Sequence, residues 1–236
     1  MNRSVEPARA RMIGRLLMQN TGWSALSGLL LFGAAGTLRW PAAWIFVIEL
    51  FALGLAAGLW LIMNDRDLLE TRLAAPVARI PDRWDLEILA AVFITWAGWL
   101  VLMGLDVGRF EWSRPLAGLQ VTGAVCLAIY MGITAVTFRA NSFASPAIEI
   151  QSSRGHHLIT DGPYRYVRHP IYAASIFLYL GGSLLLGSWC GIAMAPFLVA
   201  ILGVRAESEE RSLRAKFESY SDYALKVPYR LVPLIW

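Results

Sequence analysis

The densest group of polar and aromatic side chains in this sequence is GPYRYVRHPIY, residues 162–172, directly before an apolar run. Pro170 suits the first turn of a helix, where its missing N–H costs nothing. The N–H groups of such a turn favour an anion, for example a carboxylate or a phosphate. Tyr164 and Tyr172 offer aromatic faces to a cation. The stretch therefore predicts either a site for a charged ligand or a simple membrane anchor, since Tyr and Arg also fix the depth of a helix in a membrane.

A second polar cluster, RAESEERSLRAKF, occupies residues 205–217. Arg205 and Glu209 are four residues apart, as are Glu210 and Arg214, so each pair shares one face of a helix. One interpretation is a solvated helix with ion pairs worth about 0.3–0.5 kcal/mol each. The other is that this helix continues from the last apolar run and meets the first cluster at the same membrane boundary. Two clusters at one depth favour a shared pocket.

The composition indicates that lipid, rather than water, surrounds most of the chain. Of its 236 residues, 57% are hydrophobic and 16% are charged, and ten are tryptophans. A soluble domain usually carries about 25% charged residues, and tryptophan is enriched at membrane–water boundaries. A net charge of +4 could suit a nucleic acid, but the charges are placed as in a membrane protein. We expect no nucleic-acid partner.

The elements that must position the two clusters are apolar helices. Crossing the hydrocarbon core of a membrane takes about 20 apolar residues in a helix, because lipid offers backbone groups no partner. The turn Gly187-Ser188-Trp189 predicts that the last two runs form a tight hairpin, although one interrupted segment would give five spans instead of six. We predict an all-α, polytopic membrane helix bundle of about six spans. The apolar runs are 15–37, 41–63, 86–105, 116–138, 170–187 and 188–204.

The basic residues predict how these spans are oriented. Eighteen of the 21 lysine and arginine residues fall on one side of the six runs, and only Arg39, Arg109 and Arg114 fall on the other. Cytoplasmic loops carry the excess of such residues, so both termini should be cytoplasmic. A cleaved signal peptide is disfavoured for the first run, because Gln-Asn-Thr at 19–21 interrupts its apolar core.

We predict one integrated domain with two regions. Residues 1–138 form an N-terminal four-helix membrane region, and residues 139–236 form a loop, a helical hairpin and a C-terminal helix at about 203–226. The connection 64–85 mixes arginines, acids and leucines. It is expected to lie along the membrane interface, as an amphipathic connector or as a lid.

Other features narrow the chemistry. Cys126 and Cys190 offer neither a disulfide framework nor a CxxC pair, and the three histidines lack metal-ligand spacing, so we predict no metal. The sequence has no Walker loop, GxSxG or GxGxxG after a strand, so a Rossmann domain would not hold a nucleotide-like cofactor. Glu49 is an acid within a span, but in the outer half. We expect it to hydrogen-bond with Gln120 or to be neutral.

From about Asn141 onward, two-fifths of the chain, the sequence resembles the integral-membrane isoprenylcysteine carboxyl methyltransferases and the wider group that includes small membrane phospholipid N-methyltransferases. The combination of RHPxY with EExxL is specific, whereas either motif alone is weak. One departure is Ala174 at a usual glycine, and another is the lack of a glycine after Phe217. The matching residues are Asn141, Phe143, HHLITDGPYRYVRHPIY at 156–172, Arg205, Glu209, Glu210, Leu213, Phe217, Tyr220, Tyr223 and Val227-Pro228.

The resemblance implies a cofactor, S-adenosylmethionine (SAM), held between the 139–169 connection and the C-terminal helix. It implies that Glu209 accepts the ammonium of the cofactor and that Arg205 orients the methyl acceptor; these two are the predicted catalytic residues. Gln151 fits the family pattern only with a two-residue shift. The predicted cofactor-binding residues are Gln151, His156, His157, Leu158, Ile159, Tyr164, His169, Pro170, Ile171, Tyr172 and Glu209.

The acceptor implied is lipophilic and enters from the bilayer. A prenylcysteine-type carboxylate, a phospholipid amine and a thiol all stay open. A carboxylate would need only an arginine to position it, whereas an amine must lose a proton and a thiol must react as thiolate. One alternative is an NADPH-dependent sterol-type reductase, because such enzymes also carry an RHPxY-like element and an ending similar to VPYRLVPLIW, residues 227–236. The second alternative is a non-catalytic membrane protein.

Overall fold

Eight α-helices, a π-helical segment and a short 3₁₀ turn make up the regular structure of the described residues, which contain no strand. The all-α prediction is confirmed. The computed structural model describes residues 5–74, 83–114, 116–146, 151 and 154–236. The helices are α1 Val5–Ala35, α2 Pro41–Asn64, α3 Arg66–Leu73, α4 Arg83–Met103, α5 Ala117–Ala140, α6 Pro170–Leu186, α7 Trp189–Lys216 and α8 Tyr220–Lys226; the π-helical segment is Gly104–Arg109 and the 3₁₀ turn is Gly162–Arg165.

Each of the six predicted apolar runs forms a helix, as expected for a multi-pass membrane protein. Four helices are long and apolar enough to cross a membrane: α2, α4 with its π-helical extension, α5 and α7; α6 is a shorter apolar helix. Large apolar side chains such as Ile48, Ile94 and Val121 are 61–67% exposed on the outside of the bundle. A soluble protein would bury much of this surface, whereas lipid tails solvate it at no cost.

The predicted turn between the last two runs is confirmed. Gly187 ends α6 with φ +77°, a left-handed conformation that favours glycine. Ser188 then caps α7 by accepting a hydrogen bond from the backbone N–H of Gly191. The Ser188 hydroxyl also donates to the buried Asp106 Oδ2 at 2.6 Å, and Ser113 donates to the same oxygen at 2.7 Å. These bonds fix the α6–α7 hairpin against the π-helical segment.

Helices from both predicted regions share one core. The fully buried Trp99 of α4 donates from Nε1 to Ser183 Oγ of α6 at 3.1 Å. Leu127 of α5 and Leu198 of α7 belong to the same buried cluster. The C-terminal hairpin is therefore packed into the N-terminal helices, and α6 begins at a fixed position relative to α4 and α5.

The structure corrects the predicted C-terminal helix. The predicted helix at 203–226 is not continuous, because α7 ends at Lys216 and α8 begins only at Tyr220. The Phe217 N–H bonds to the Leu213 carbonyl, and the Tyr220 N–H then bonds to Phe217, which turns the chain. The turn brings Tyr220 and Tyr223 back against Leu158 and Tyr164, which pack in the same apolar cluster.

Two further expectations concern the N-terminal region. In the 64–85 connection, α3 is amphipathic and buries Leu68 and Leu69 against α1 and α2, while residues 75–82 lie outside the described residues. The expected hydrogen bond between Glu49 and Gln120 does not form among the described residues. Gln120 instead donates from Nε2 to the Leu185 carbonyl at 3.1 Å, which ties α5 to the end of α6.

Candidate functional site

A cavity of about 240 Å³ lies where the two polar clusters meet. The loop after α5 forms one wall, the start of α6 another, and the polar end of α7 a third. His169 and Arg205, 36 positions apart, line this same space. The shared depth inferred from the sequence therefore corresponds to a shared cavity.

Most of the predicted site residues line this cavity. Gln151 does not: it is buried behind the wall, where its Nε2 donates to the Phe143 carbonyl at 3.1 Å and its backbone N–H donates to His156 Nδ1 at 3.2 Å. Gln151 thus positions two lining residues. The predicted residues on the cavity surface are His156, His157, Leu158, Ile159, Tyr164, His169, Pro170, Ile171, Tyr172, Arg205 and Glu209.

Glu209 presents a carboxylate to the cavity, held by two residues at the start of α6. The Tyr172 hydroxyl donates to Glu209 Oε2 at 3.0 Å, and His169 Nδ1 lies 3.6 Å from the same oxygen. The His169 and Tyr172 rings are parallel, with centroids 5.5 Å apart. Burial alone would lower the pKa of His169, but the Glu209 and Glu210 carboxylates beside the ring raise the pKa above the ordinary value. The two carboxylates therefore favour the positively charged form of His169.

The neighbouring Glu210 points away from the cavity into a buried network of cations. Its Oε1 accepts from Arg168 Nε at 2.8 Å and from Arg230 Nε at 3.1 Å. Arg168 also donates from Nη1 to the carbonyls of Val227 and Pro228 at 2.9 and 3.1 Å. The network joins the RHP motif, α7 and the C-terminal segment, so it fixes the cavity walls relative to one another.

Aromatic rings from the loop after α5 complete the wall. Phe143 stacks on His156 with centroids 4.4 Å apart and an interplanar angle of 15°. Asn141 Nδ2 donates to the Tyr164 hydroxyl at 2.7 Å, and the Tyr223 hydroxyl donates to the Tyr164 carbonyl at 2.8 Å. Burial raises the pKa of Tyr164, so its ring stays a neutral face toward any cation in the cavity.

Arg205 is buried with part of its guanidinium unsatisfied. Its Nη2 donates to the Pro146 carbonyl, while Nε is buried without a hydrogen-bond partner among the described residues, as is the Tyr220 hydroxyl on the cavity surface. Arg205 and Glu209 do not form an ion pair within 4.0 Å. By contrast, Glu210 and Arg214, which have the same four-residue spacing, lie 3.4 Å apart. Arg205 can therefore receive an anion.

Sequence reasoning missed two lining residues from the N-terminal region. Arg72 on α3 and Leu89 on α4 both reach the cavity. Arg72 donates from Nη1 to the Ala144 carbonyl at 3.0 Å, and its guanidinium lies 4.4 Å from the centroid of the Phe138 ring. The only signal in the sequence was the mixture of arginines, acids and leucines at 64–85. This mixture indicates a connector at the membrane interface, but it does not predict that Arg72 reaches the cavity.

The cavity thus combines a carboxylate that can bind a cation, arginines that can bind an anion, and aromatic faces between apolar walls.

The part of the chain that builds most of this cavity is similar to a known protein family. Residues 121–215 match the isoprenylcysteine carboxyl methyltransferase (ICMT) family. The resemblance predicted from the RHPxY and EExxL motifs is confirmed. The ICMT match runs from α5 to the last turn of α7 and so includes the start of α6 and both acids.

Relatives of known name agree with this match. The chain is 34% identical over 115 residues to a protein-S-isoprenylcysteine O-methyltransferase of Schizosaccharomyces pombe, covering 48% of each protein. It is 28% identical over 148 residues to the Mus musculus enzyme of that name, covering 61% of this chain and 50% of the relative. The chain spans about half the length of these relatives. A Delta(14)-sterol reductase of Mus musculus is 27% identical over 142 residues, covering 52% of this chain and 32% of the reductase.

Proposed function

We propose that this protein is a SAM-dependent integral membrane methyltransferase that methylates a lipophilic acceptor carrying a carboxylate, of prenylcysteine type. One observation carries the proposal: Glu209, whose side chain is 34% exposed, and the buried Arg205 line one cavity within the ICMT-matched region and form no ion pair with each other. Such a cavity suits two ligands, one contributing an ammonium and the other a carboxylate.

The residues present fit the cofactor. The Glu209 carboxylate would accept its ammonium, and the faces of Tyr164 and Tyr172 suit its sulfonium. The buried Tyr220 hydroxyl, which has no partner among the described residues, offers a further hydrogen bond. The remaining proposed contacts are His156 to Ile159 and His169 to Ile171, all on the cavity surface.

When bound, the cofactor would supply an electrophilic methyl group on a sulfonium; transfer of this group to an acceptor oxygen would form a C–O bond, break the C–S bond and leave its electron pair on sulfur. A carboxylate acceptor needs no base, so the task of the chain is alignment. Arg205 would orient the carboxylate, and the enclosed walls would exclude water. Holding the two reactants in line can supply about 7–11 kcal/mol of the barrier.

We further propose that the cavity and both termini are cytoplasmic, since 18 of the 21 basic residues fall on that side of the helices. The cofactor would enter from the cytoplasm and the acceptor from the bilayer. The two would meet at the boundary where α6 begins. This placement accounts for a dense polar cluster at the end of an apolar helix.

The test is binding and transfer by the purified protein in detergent. We expect SAM to raise the unfolding temperature, by an amount equivalent to about 2.7 kcal/mol at 100 times Kd. Glu209→Gln should weaken SAM binding at least tenfold, whereas Glu207→Gln, a 53% exposed acid on the same helix, should not. Mass spectrometry should then find a deuterated methyl ester on a prenylcysteine after incubation with methyl-deuterated SAM.

The reductase alternative is tested in the same samples, because similarity to a sterol reductase is present in this chain. Stabilisation by NADPH but not by SAM would replace the methyltransferase proposal. Stabilisation by neither nucleotide would favour a non-catalytic membrane protein.

A further inference from the structure

Two arginines from distant parts of the chain bind the same short stretch of the cavity wall. Arg72, on α3, donates to the Ala144 carbonyl at 3.0 Å. Arg205, on α7, donates to the Pro146 carbonyl. Both arginines line the cavity. Residue 72 lies outside the ICMT-matched range, 121–215, so this pairing depends on the N-terminal region of this chain.

Neither arginine has a direct carboxylate partner. No Asp or Glu oxygen lies within 4.0 Å of either guanidinium in the part of the chain that the structure describes. Arg205 is only 6% exposed, and its Nε is one of five buried polar side-chain atoms that have no hydrogen-bond partner within the described ranges. Neutral carbonyls bind a guanidinium more weakly than a carboxylate does. The nearest carboxylates of the protein, Glu209 and Asp85, act on Arg205 only from beyond 4.0 Å. The pair therefore keeps donors for the anion of a ligand.

The surroundings of Arg72 indicate which anion this is. Its two contacts, Phe138 and Ala144, belong to an apolar cluster that also contains Ile171 and leucines of α2 and α3. Two of the proposed cofactor contacts, Leu158 and Tyr164, pack in a different cluster with α8, whereas a third, Ile171, borders both ligands from the Arg72 cluster. Arg72 therefore lies on the apolar side of the cavity, where the headgroup of a lipid-like molecule would end.

We infer that Arg72 and Arg205 together bind the carboxylate of the methyl acceptor, and that Arg72 determines the preference for an acid over an amine or an uncharged group. The inference rests on the proposed function and deepens it. Two guanidiniums hold both oxygens of a carboxylate with its tail among the apolar residues. The same two charges repel an ammonium, so phospholipid amines are disfavoured as acceptors.

The experiment compares wild type with Arg72→Gln, Arg72→Lys and a matched control, Arg66→Gln. Arg66 is on the same helix and also donates to a backbone carbonyl, that of Ile62 at 3.1 Å, but it does not line the cavity. The probes are N-acetyl-S-farnesylcysteine, its carboxamide, and S-adenosylhomocysteine. For each variant, binding of all three probes, the KM and kcat of methylation, and the unfolding temperature are measured.

We expect Arg72→Gln to raise the Kd and KM of the carboxylate probe roughly 10- to 100-fold, the range for losing a charge-assisted hydrogen bond. Binding of the carboxamide and of S-adenosylhomocysteine should be unchanged, Arg72→Lys should recover part of the loss, and Arg66→Gln should match wild type. A merely structural Arg72 would weaken all three probes together.

Three results would overturn the inference: an unchanged Kd and KM for the carboxylate in Arg72→Gln, weakened binding of S-adenosylhomocysteine instead, or equal affinity of wild type for carboxylate and carboxamide. The second result would assign Arg72 to the cofactor carboxylate. If wild type transfers no methyl group, the proposed function fails separately, and the binding comparison still decides whether the arginines select a carboxylate.

Discussion

Glu209 and Glu210 are adjacent on α7, yet they have opposite environments. Successive residues of an α-helix point about 100° apart, so Glu209 faces the cavity and Tyr172 while Glu210 faces Arg168 and Arg230. Glu209 can therefore contact a ligand in the cavity, whereas Glu210 stabilises the cavity walls. The EE pair is therefore one cavity-facing residue and one residue of the buried network.

Replacing Glu210 should destabilise the protein strongly. Its side chain is 3% exposed, and Glu210→Ala would leave Arg168, 7% exposed, as a buried cation without its acid. Breaking a buried pair in this way costs about 3–5 kcal/mol. Glu207→Ala, which removes an exposed partner of Arg230 at 3.6 Å, should cost about 0–1 kcal/mol. Unfolding in detergent measures both, and similar losses in the two variants would contradict the buried-network role.

At the scale of elements, the position of α6 depends on its close approach to α5. A Cβ atom added at Gly123 would lie 2.3 Å from the Leu185 nitrogen and 2.5 Å from the Gly181 carbonyl oxygen. Gly181 in turn faces Gly123 and Cys126. Small residues at a helix interface allow such contact between backbones. Because the RHPIY motif, residues 168–172, leads into the first turn of α6, this contact also sets one wall of the cavity.

Two glycines of α5 allow a matched test of this contact. Gly123→Ala should force α5 and α6 apart and destabilise the protein by about 1–3 kcal/mol, the usual cost of overpacking. Gly132→Ala should be neutral or stabilising by up to about 1 kcal/mol. No described atom lies within 4 Å of a Cβ added at Gly132, and alanine favours a helix more than glycine does. Unfolding temperatures and SAM affinity report both effects. A harmless Gly123→Ala would show that the helices can separate without cost.

Hydropathy and turn residues predicted the helices well, because both depend on local sequence. The six apolar runs and the Gly187-Ser188 turn follow from hydropathy and turn residues, and the cavity at the start of α6 was predicted from two polar clusters expected at one membrane boundary. The break at 217–219 was missed, because tertiary packing of Tyr220 and Tyr223 determines it and no glycine or proline marks it. The inward direction of Arg72 was missed for the same reason, since α3 gains its orientation from packing on α1 and α2.

At the scale of the molecule, two regions contribute to one cavity. The ICMT-matched part supplies both acids and the aromatic wall, and the N-terminal helices supply Arg72, Leu89 and most of the lipid-facing surface. A single core joins them. The cavity therefore sits at one end of the bundle, beside the loops that hold most of the basic residues. Its orientation in the membrane decides from which compartment a water-soluble ligand can enter.

This orientation is testable with two single cysteines in a chain whose native Cys126 and Cys190 are replaced by serine. Ser219→Cys lies on the cavity side, before α8, and Leu38→Cys lies in the opposite loop, where Leu38 is 65% exposed. Because basic loops stay in the cytoplasm, a membrane-impermeant maleimide added outside intact cells should label Leu38→Cys alone. Ser219→Cys should react only after the cells are opened. Labelling of Ser219→Cys from outside would place the cavity away from cytoplasmic SAM and would exclude the proposed route of the cofactor.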